Sequence, residues 1–392
     1  MDDDRGLYIS PENCDLQSRP TQKLSGDFGG YSRTLPHISV VVGAGYDTAE
    51  LKNCLTALLA QKFQGSRYEV IVVDARSADA RPVTSLFGGT HHNLGLSTRT
   101  VVQEAAECAA GAPAVQYLSA DYPSSSQGNR DAIARNRGWE FARGSVIAFL
   151  DASLMPVPDW LLHGFSAMSD DVWVVRGSVT VPTNVPPRED ERAASELAAS
   201  GHYGSNCFVR KAALVAIGGY DERFPADWRI DLDLQFSLIE HSRGEFQIGR
   251  SALAEVTRSA ISHIWGSSLF ALRNLQFDAL LARKHPTLYR PGLCRLTRNI
   301  WWGAHLQVVV LLGSVAVAAL AAQFAIASVA LGLWSLLTLL LVSARLRGCR
   351  HDILYVFEML LTSLVVPPLA VFWCCVGAVR HRRPRSWPSG HG

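Results

Sequence analysis

Ser145-Val-Ile-Ala-Phe-Leu-Asp151 carries no polar side chain between its first and last positions, and its last position is an acid. An apolar run of this length fits a strand covered on both faces, as in a parallel sheet, better than the in/out alternation of a half-exposed one. Two other stretches share the form. Ile38 to Val42 (ISVVV) is a β-branched run, and Glu69-Val-Ile-Val-Val-Asp74 again ends in an acid. Between them Leu51, Leu55, Leu58 and Leu59 recur at helical spacing, which gives a βαβ unit with a right-handed crossover. Val115 to Leu118 reads as a third strand. Arg130 to Arg143 reads as a helix with Ile133, Gly138, Phe141 and Ala142 on its inner face, closed by Gly144.

Further along, Trp173 to Val181 and Ser205 to Val209 are strand-like, while Ile230 to Ile239 and Ser267 to Lys284 have helical spacing. Residues 182–201 are polar and rich in proline at their start, which predicts a mobile loop. The expected fold class is therefore α/β, a Rossmann-like mixed sheet flanked by helices. In open α/β sheets ligands bind beyond the carboxyl ends of the strands, and Asp74 and Asp151 both stand at such ends.

The net charge of +2 over 392 residues gives no electrostatic footprint for nucleic acid. The eight cysteines are scattered with no C-x-x-C pair, against a zinc or disulfide framework and in favour of a reducing compartment. The start, MDDDRGLYIS, is acidic and has no apolar core, so 1–35 reads as a flexible leader rather than a secretory signal.

After Gln307 the composition changes. Val308 to Phe324, Ile326 to Val342 and Ile353 to Val379 are almost uninterrupted apolar runs, and a bilayer span needs about 20 such residues. Arg345, Arg347 and Arg350 follow the second run, and Arg380, Arg382, Arg383 and Arg385 follow the third. The positive-inside rule puts both clusters in the cytoplasm, which a single crossing between them violates. Pro367-Pro368 offers a re-entrant hairpin as the solution, with a plain third crossing as the alternative. A cell-membrane, multi-pass chain with its soluble domain in the cytoplasm is expected.

Two segments carry candidate chemistry. One is Phe149-Leu-Asp-Ala-Ser-Leu-Met-Pro156. The other is Gly218-Gly-Tyr-Asp-Glu-Arg-Phe224 followed by Ile230-Asp-Leu-Asp233. Singly, a strand-end Asp is often a cap and a first-turn Asp a partner of the helix dipole. In this order and spacing, with the helix around Gly128-Asn-Arg130, they resemble the inverting glycosyltransferases of family 2, which have the GT-A fold. The resemblance covers 36–290. It implies a GT-A domain there; the apolar runs and basic clusters after it give a juxtamembrane connector at 291–306, membrane segments at 307–379 and a basic tail at 380–392.

The resemblance implies a nucleotide-diphosphate sugar as donor, held by Tyr46, Asp74, Arg130, Arg135, Asn136 and Asp151. It implies Asp231 as the general base on the acceptor hydroxyl, with Asp221, Glu222 and Asp233 on the acceptor side. It also implies a divalent cation, Mg2+ or Mn2+, on Asp151 and His263. The acceptor would be a membrane lipid, a lipid-linked or envelope glycan, or a small molecule. The chemistry is consistent, since inversion needs a carboxylate at the acceptor oxygen and positive charge at the leaving diphosphate. Four positions depart from the pattern. Ser153 replaces the second Asp of D-x-D, and a hydroxyl is a far weaker cation ligand than a carboxylate. Ile230 replaces the acid before the base, Ala75-Arg76 replaces Asp-Gly or Asn-Gly, and the Q/R-x-x-R-W motif of processive synthases is missing. The alternative reading is a catalytically silent relative acting as a membrane scaffold. Gly43-Ala-Gly45 is not a dinucleotide fingerprint, because Thr48 stands where its third glycine belongs.

Overall fold

The computed structural model describes residues 36–44, 47–75, 97–120, 130–199, 204–224, 229–259, 265–289 and 299–382, the side chains of 66 and 299–304 excepted. The strands are β1 (Ile38–Gly43), β2 (Tyr68–Asp74), β3 (Ala114–Ser119), β4 (Val146–Asp151), β5 (Leu154–Pro156), β6 (Val172–Thr180), β7 (Asn206–Arg210) and β8 (Gln247–Arg258). The helices are α1 (Thr48–Leu59), α2 (Thr98–Ala109), α3 (Arg130–Phe141), α4 (Trp160–Ser166), α5 (Glu189–Ala199), α6 (Lys211–Ile217), α7 (Ile230–Ser242), α8 (Ser267–Ala271), α9 (Asp278–Lys284), α10 (Asn299–Leu320), α11 (Phe324–Leu346) and α12 (Ile353–Arg380).

All eight strands form one mixed sheet in the order β3-β2-β1-β4-β7-β6-β8-β5. The first four are parallel neighbours, and β7 is antiparallel to both β4 and β6. The pleat sends Val40, Val42, Val70, Val72 and Leu150 to one side, against α1, α2 and α4. It sends Val41, Ile71, Val73 and Phe149 to the other, against α3, α6 and α7. Both faces are therefore covered, which is why these strands read as unbroken apolar runs. The α/β class, the flanking helices and the apolar C-terminal helices are as expected.

Three expectations change. β5 and β8 carry no continuous apolar run; β8 is half-exposed along most of its length, so periodicity does not reveal it. Within 182–201, α5 forms where Glu189, Asp190 and Glu191 supply the acidic first turn a helix N-terminus favours. Ser267 to Lys284 is not one helix, because a 3-10 stretch at Leu272–Phe277 separates α8 from α9.

α10 and α11 form a hairpin whose turn places Ala322 at φ 55°. By length and composition α11 and α12 are long and apolar enough to cross a membrane, while the apolar stretch His305–Leu320 within α10 is shorter. α12 continues as one helix through Pro367 and Pro368, so the re-entrant turn expected there is not formed.

Charged groups join these helices to the α/β domain. Arg345, 5% exposed, donates to both Glu189 carboxylate oxygens at 2.8 and 2.6 Å and to the hydroxyls of Thr362 and Ser363. Glu358 accepts from Arg188 at 3.3 Å and from the Gly266 N–H at 2.8 Å. Buried ions need such complete pairing, because desolvation costs several kcal/mol per ion.

Candidate functional site

β1 and β4 pair with Gly43 opposite Asp151, and β2 ends beside them at Asp74. The carboxyl ends of three parallel strands thus form one rim, and the first turn of α7 and the turn before β7 close on it. Arg135 joins these pieces. It rises from α3 with 5% exposure and donates from Nη2 to Asp151 Oδ1 at 3.2 Å and from Nη1 to Asp231 Oδ1 at 3.3 Å. The same Nη2 reaches Ser205 Oγ at 3.0 Å, and the guanidinium lies 5.3 Å from the centroid of the Tyr220 ring. The Ser205 hydroxyl donates to the other oxygen of Asp151. Two carboxylates from separate elements are therefore held on one guanidinium.

Asp231 is fixed from its other side by the Gly204 N–H, which donates to Oδ2 at 2.7 Å. Gly204 tolerates no side chain, since a Cβ would stand 1.7 Å from Asp231 Oδ1. Burial pushes the Asp231 carboxyl above its ordinary value; Arg135 and the Gly204 N–H pull it back in part, and Asp151 adds to the rise. About a quarter of the side chain stays exposed, so an incoming group can reach it. Burial works against the charge of Arg135, but Asp151, Tyr220 and Asp231 outweigh it and keep the guanidinium protonated. A partly open carboxylate raised in this way beside a fixed positive charge has the chemistry to accept a proton.

Of the residues expected in the site, Asp151, Arg135 and Asp231 converge. Asp74 lies on the same rim, 7% exposed, and accepts from Tyr117 Oη at 3.4 Å. Arg130 opens α3. Tyr46 and His263 lie outside the described residues. Asn136 points elsewhere: it donates to the Tyr220 carbonyl and to Glu222 and accepts from the Tyr220 N–H and Trp139, tying α3 to the Gly218–Phe224 segment. Asp221 and Asp233 share Lys284 at 3.2 and 2.7 Å. His285 adds a 3.0 Å contact to Asp233, which is 1% exposed. Burial alone would raise the Asp221 carboxyl, but Arg223 and Lys284 hold it below its ordinary value. This second cluster anchors α7 to α9 and makes no contact with Asp231.

Gly204 and Ser205 were not expected to hold the carboxylates. The register that sets Leu150 opposite Asn206 carries the reason, because it brings Ser205 beside Asp151. That pairing is antiparallel and non-local, so no sequence period announces it.

A cation would find few ligands here. Among the described residues no three His, Cys, Asp or Glu side chains come together as a metal group. Asp151 already has both oxygens engaged, and Ser153 offers only a hydroxyl. The described residues do not by themselves form a divalent site.

No family model matches the chain. Over 137 residues it is 29% identical to Glycosyltransferase AglE of Haloferax volcanii, a stretch covering 35% of this chain and 36% of that protein. Among solved structures it is similar to the mannosyltransferase PcManGT from Pyrobaculum calidifontis, solved in complex with GDP-Man and Mn2+. That match has a TM-score of 0.45 and 16% identity, over 84% of this chain and 87% of that one. S. aureus TarS (TM-score 0.41, 14% identity) matches over 63% of this chain and 66% of that one.

Proposed function

We propose that the chain is an inverting glycosyltransferase of the GT-A type. It moves one sugar from a nucleotide-diphosphate donor to a hydroxyl of a lipid-linked acceptor. The observation that carries this reading is the bridging of Asp151 and Asp231 by Arg135, which holds a strand-end acid and a helix-start acid on one guanidinium. The sequence similarity to a glycosyltransferase supports the same class.

In this reading the donor lies over the carboxyl ends of β1, β2 and β4. Asp231 removes the proton from the acceptor oxygen as that oxygen attacks the anomeric carbon, and the nucleotide diphosphate leaves from the opposite side. Arg135 and the Gly204 N–H hold the base in line; pre-set geometry of this kind accounts for much of a transferase's acceleration. Arg135 is enclosed by protein, so its role is positioning. If the Mg2+ or Mn2+ implied by the family resemblance binds, Asp151 would be its carboxylate at the β4 end only by sharing an oxygen already held by Arg135 or Ser205, and the donor's diphosphate would have to complete the site. Adding or chelating the ion tests that dependence, and Ser153→Asp is expected to raise affinity for Mn2+. The apolar C-terminal helices motivate a lipid-linked acceptor, since an anchored site meets such a substrate at high local concentration. The proposed location is a cell membrane with the α/β domain in the cytoplasm.

A thermal-shift panel of UDP-, GDP- and dTDP-sugars tests the donor, because a ligand bound only to the folded state raises its apparent stability. Failure of every member to bind at millimolar concentration would end the enzyme reading and leave the scaffold.

A further inference from the structure

We propose that α12 lies in the plane of the membrane interface, with its exposed apolar side resting on lipid, and that the crossing falls to the hairpin of α11 and α10, the latter 22 residues long in all though its apolar stretch is shorter. The inference rests on contacts made along α12 and does not depend on the glycosyltransferase reading.

Both ends of α12 touch the same α/β domain. Near its start, Tyr355 Oη accepts from the Glu189 N–H at 2.7 Å and Glu358 accepts from the Gly266 N–H at 2.8 Å. Near its end, Gly377 is pressed so closely on Gln276 that a Cβ would stand 2.3 Å from the Gln276 carbonyl oxygen. Arg380 Nη1 donates to Gln276 Oε1 at 3.1 Å, and Arg283 donates to the Ala378 carbonyl at 3.3 Å. Glu358 and Gly377 are 19 positions apart, which at 1.5 Å per residue is about 28 Å of helix. That is close to the ~30 Å thickness of a bilayer core. A perpendicular α12 would draw Gly266 and Gln276 to opposite faces of the membrane, with the exposed Arg273 between them. One soluble domain cannot occupy both faces.

The side chains of α12 are partitioned accordingly. Ile353, Leu354, Phe357, Leu361, Leu364 and Phe372 are all exposed by more than a third of their surface. With Leu360, Val365 and Val379, which are exposed to a similar degree, they fall within about 140° of arc at 3.6 residues per turn. Tyr355, Glu358, Thr362, Val366, Ala370 and Gly377 are buried on the opposite side. An apolar stripe backed by a docked polar face is the pattern of a helix lying at the headgroup–acyl boundary. The hairpin meets the docked side of the same helix, because Arg345 at the end of α11 donates to Thr362 and Ser363 on the buried side of α12. This arrangement also satisfies the charge rule that a third crossing breaks: Arg350 and Arg380, at the two ends of α12, stay on the side of the domain.

The test uses the full chain in vesicles of phosphatidylcholine and phosphatidylglycerol. Protease added to the side that digests the α/β domain should also remove a tag placed after Gly392. A tag protected there while the domain is cut overturns the proposal. Nitroxide labels at Leu354→Cys, Leu364→Cys and Phe372→Cys, with Cys14, Cys108, Cys294, Cys374 and Cys375 changed to Ser, then report depth. The expected result is one shared depth of about 5–10 Å at all three sites. Depths that run monotonically across ~30 Å, or that are greatest at Leu364, overturn it in favour of a crossing or a re-entrant helix respectively. The tag experiment needs no substitution, so misfolding of a labelled variant leaves it decisive.

Discussion

Asp231 and Asp233 stand two residues apart in the first turn of α7, and a sequence reading groups them as one D-x-D. Two positions on a helix are about 200° apart, so their side chains leave on nearly opposite faces. Asp231 faces the strand ends and meets a buried guanidinium, a backbone N–H and solvent. Asp233 faces α9 and is enclosed by Lys284 and His285. One carboxylate keeps an open side and can exchange a proton with an incoming group. The other has its ligands supplied by the fold and has none to offer. Identical chemistry becomes a candidate site or a structural pin according to what stands opposite it.

The largest expected effect falls on Asp231. Asp231→Asn should lower sugar transfer by about 10²–10⁴-fold, the usual contribution of a positioned base, with thermal stability kept. Because burial raises this carboxyl in the folded state, its ionisation costs stability as pH rises past the unfolded value. The Asn variant should therefore match or exceed the wild type in melting temperature at neutral pH. Undiminished turnover would remove Asp231 from the mechanism.

Asp233→Ala should do the reverse. Breaking a buried pair and leaving Lys284 and His285 without their acid costs about 3–5 kcal/mol. Urea unfolding measures it, and a loss below 1 kcal/mol would show that the cluster does not pin α7. Gly204→Ala comes next. Its Cβ displaces the Asp231 carboxylate, and a shift of about 1 Å can cost on the order of 10²-fold in rate, seen in kcat with donor binding unchanged.

A smaller effect concerns pH. As the proposed base Asp231 would work ionised, so activity should fall as pH drops through its folded value, on an acid limb raised above the ordinary Asp value. Arg135→Gln removes a group that lowers that value, so the limb should move to higher pH; a limb moving the other way contradicts the bridge. Smallest is Arg223→Ala, which breaks a partly exposed pair with Asp221 and should cost about 0–1 kcal/mol.

The amino-acid sequence by itself determined the layered α/β domain, because buried parallel strands must be apolar on both faces and the runs at Ile38, Glu69 and Ser145 have no other use. It also pointed to Asp74, Asp151 and Asp231, each at a strand end or in a first turn, and through the family resemblance to Arg135 in the middle of α3. Only the tertiary structure decided how they meet. Arg135 and Asp231 are 96 positions apart on two helices, and Ser205 and Asp151 are 54 apart, brought together by an antiparallel pairing that leaves no local period. It decided as well that Asn136, Asp221 and Asp233 brace the domain. The apolar run of α12 was legible from residue 353 onward, but hydropathy measures affinity for lipid and carries no direction. Its orientation follows from Glu358 and Gly377 touching one domain some 28 Å apart along the helix.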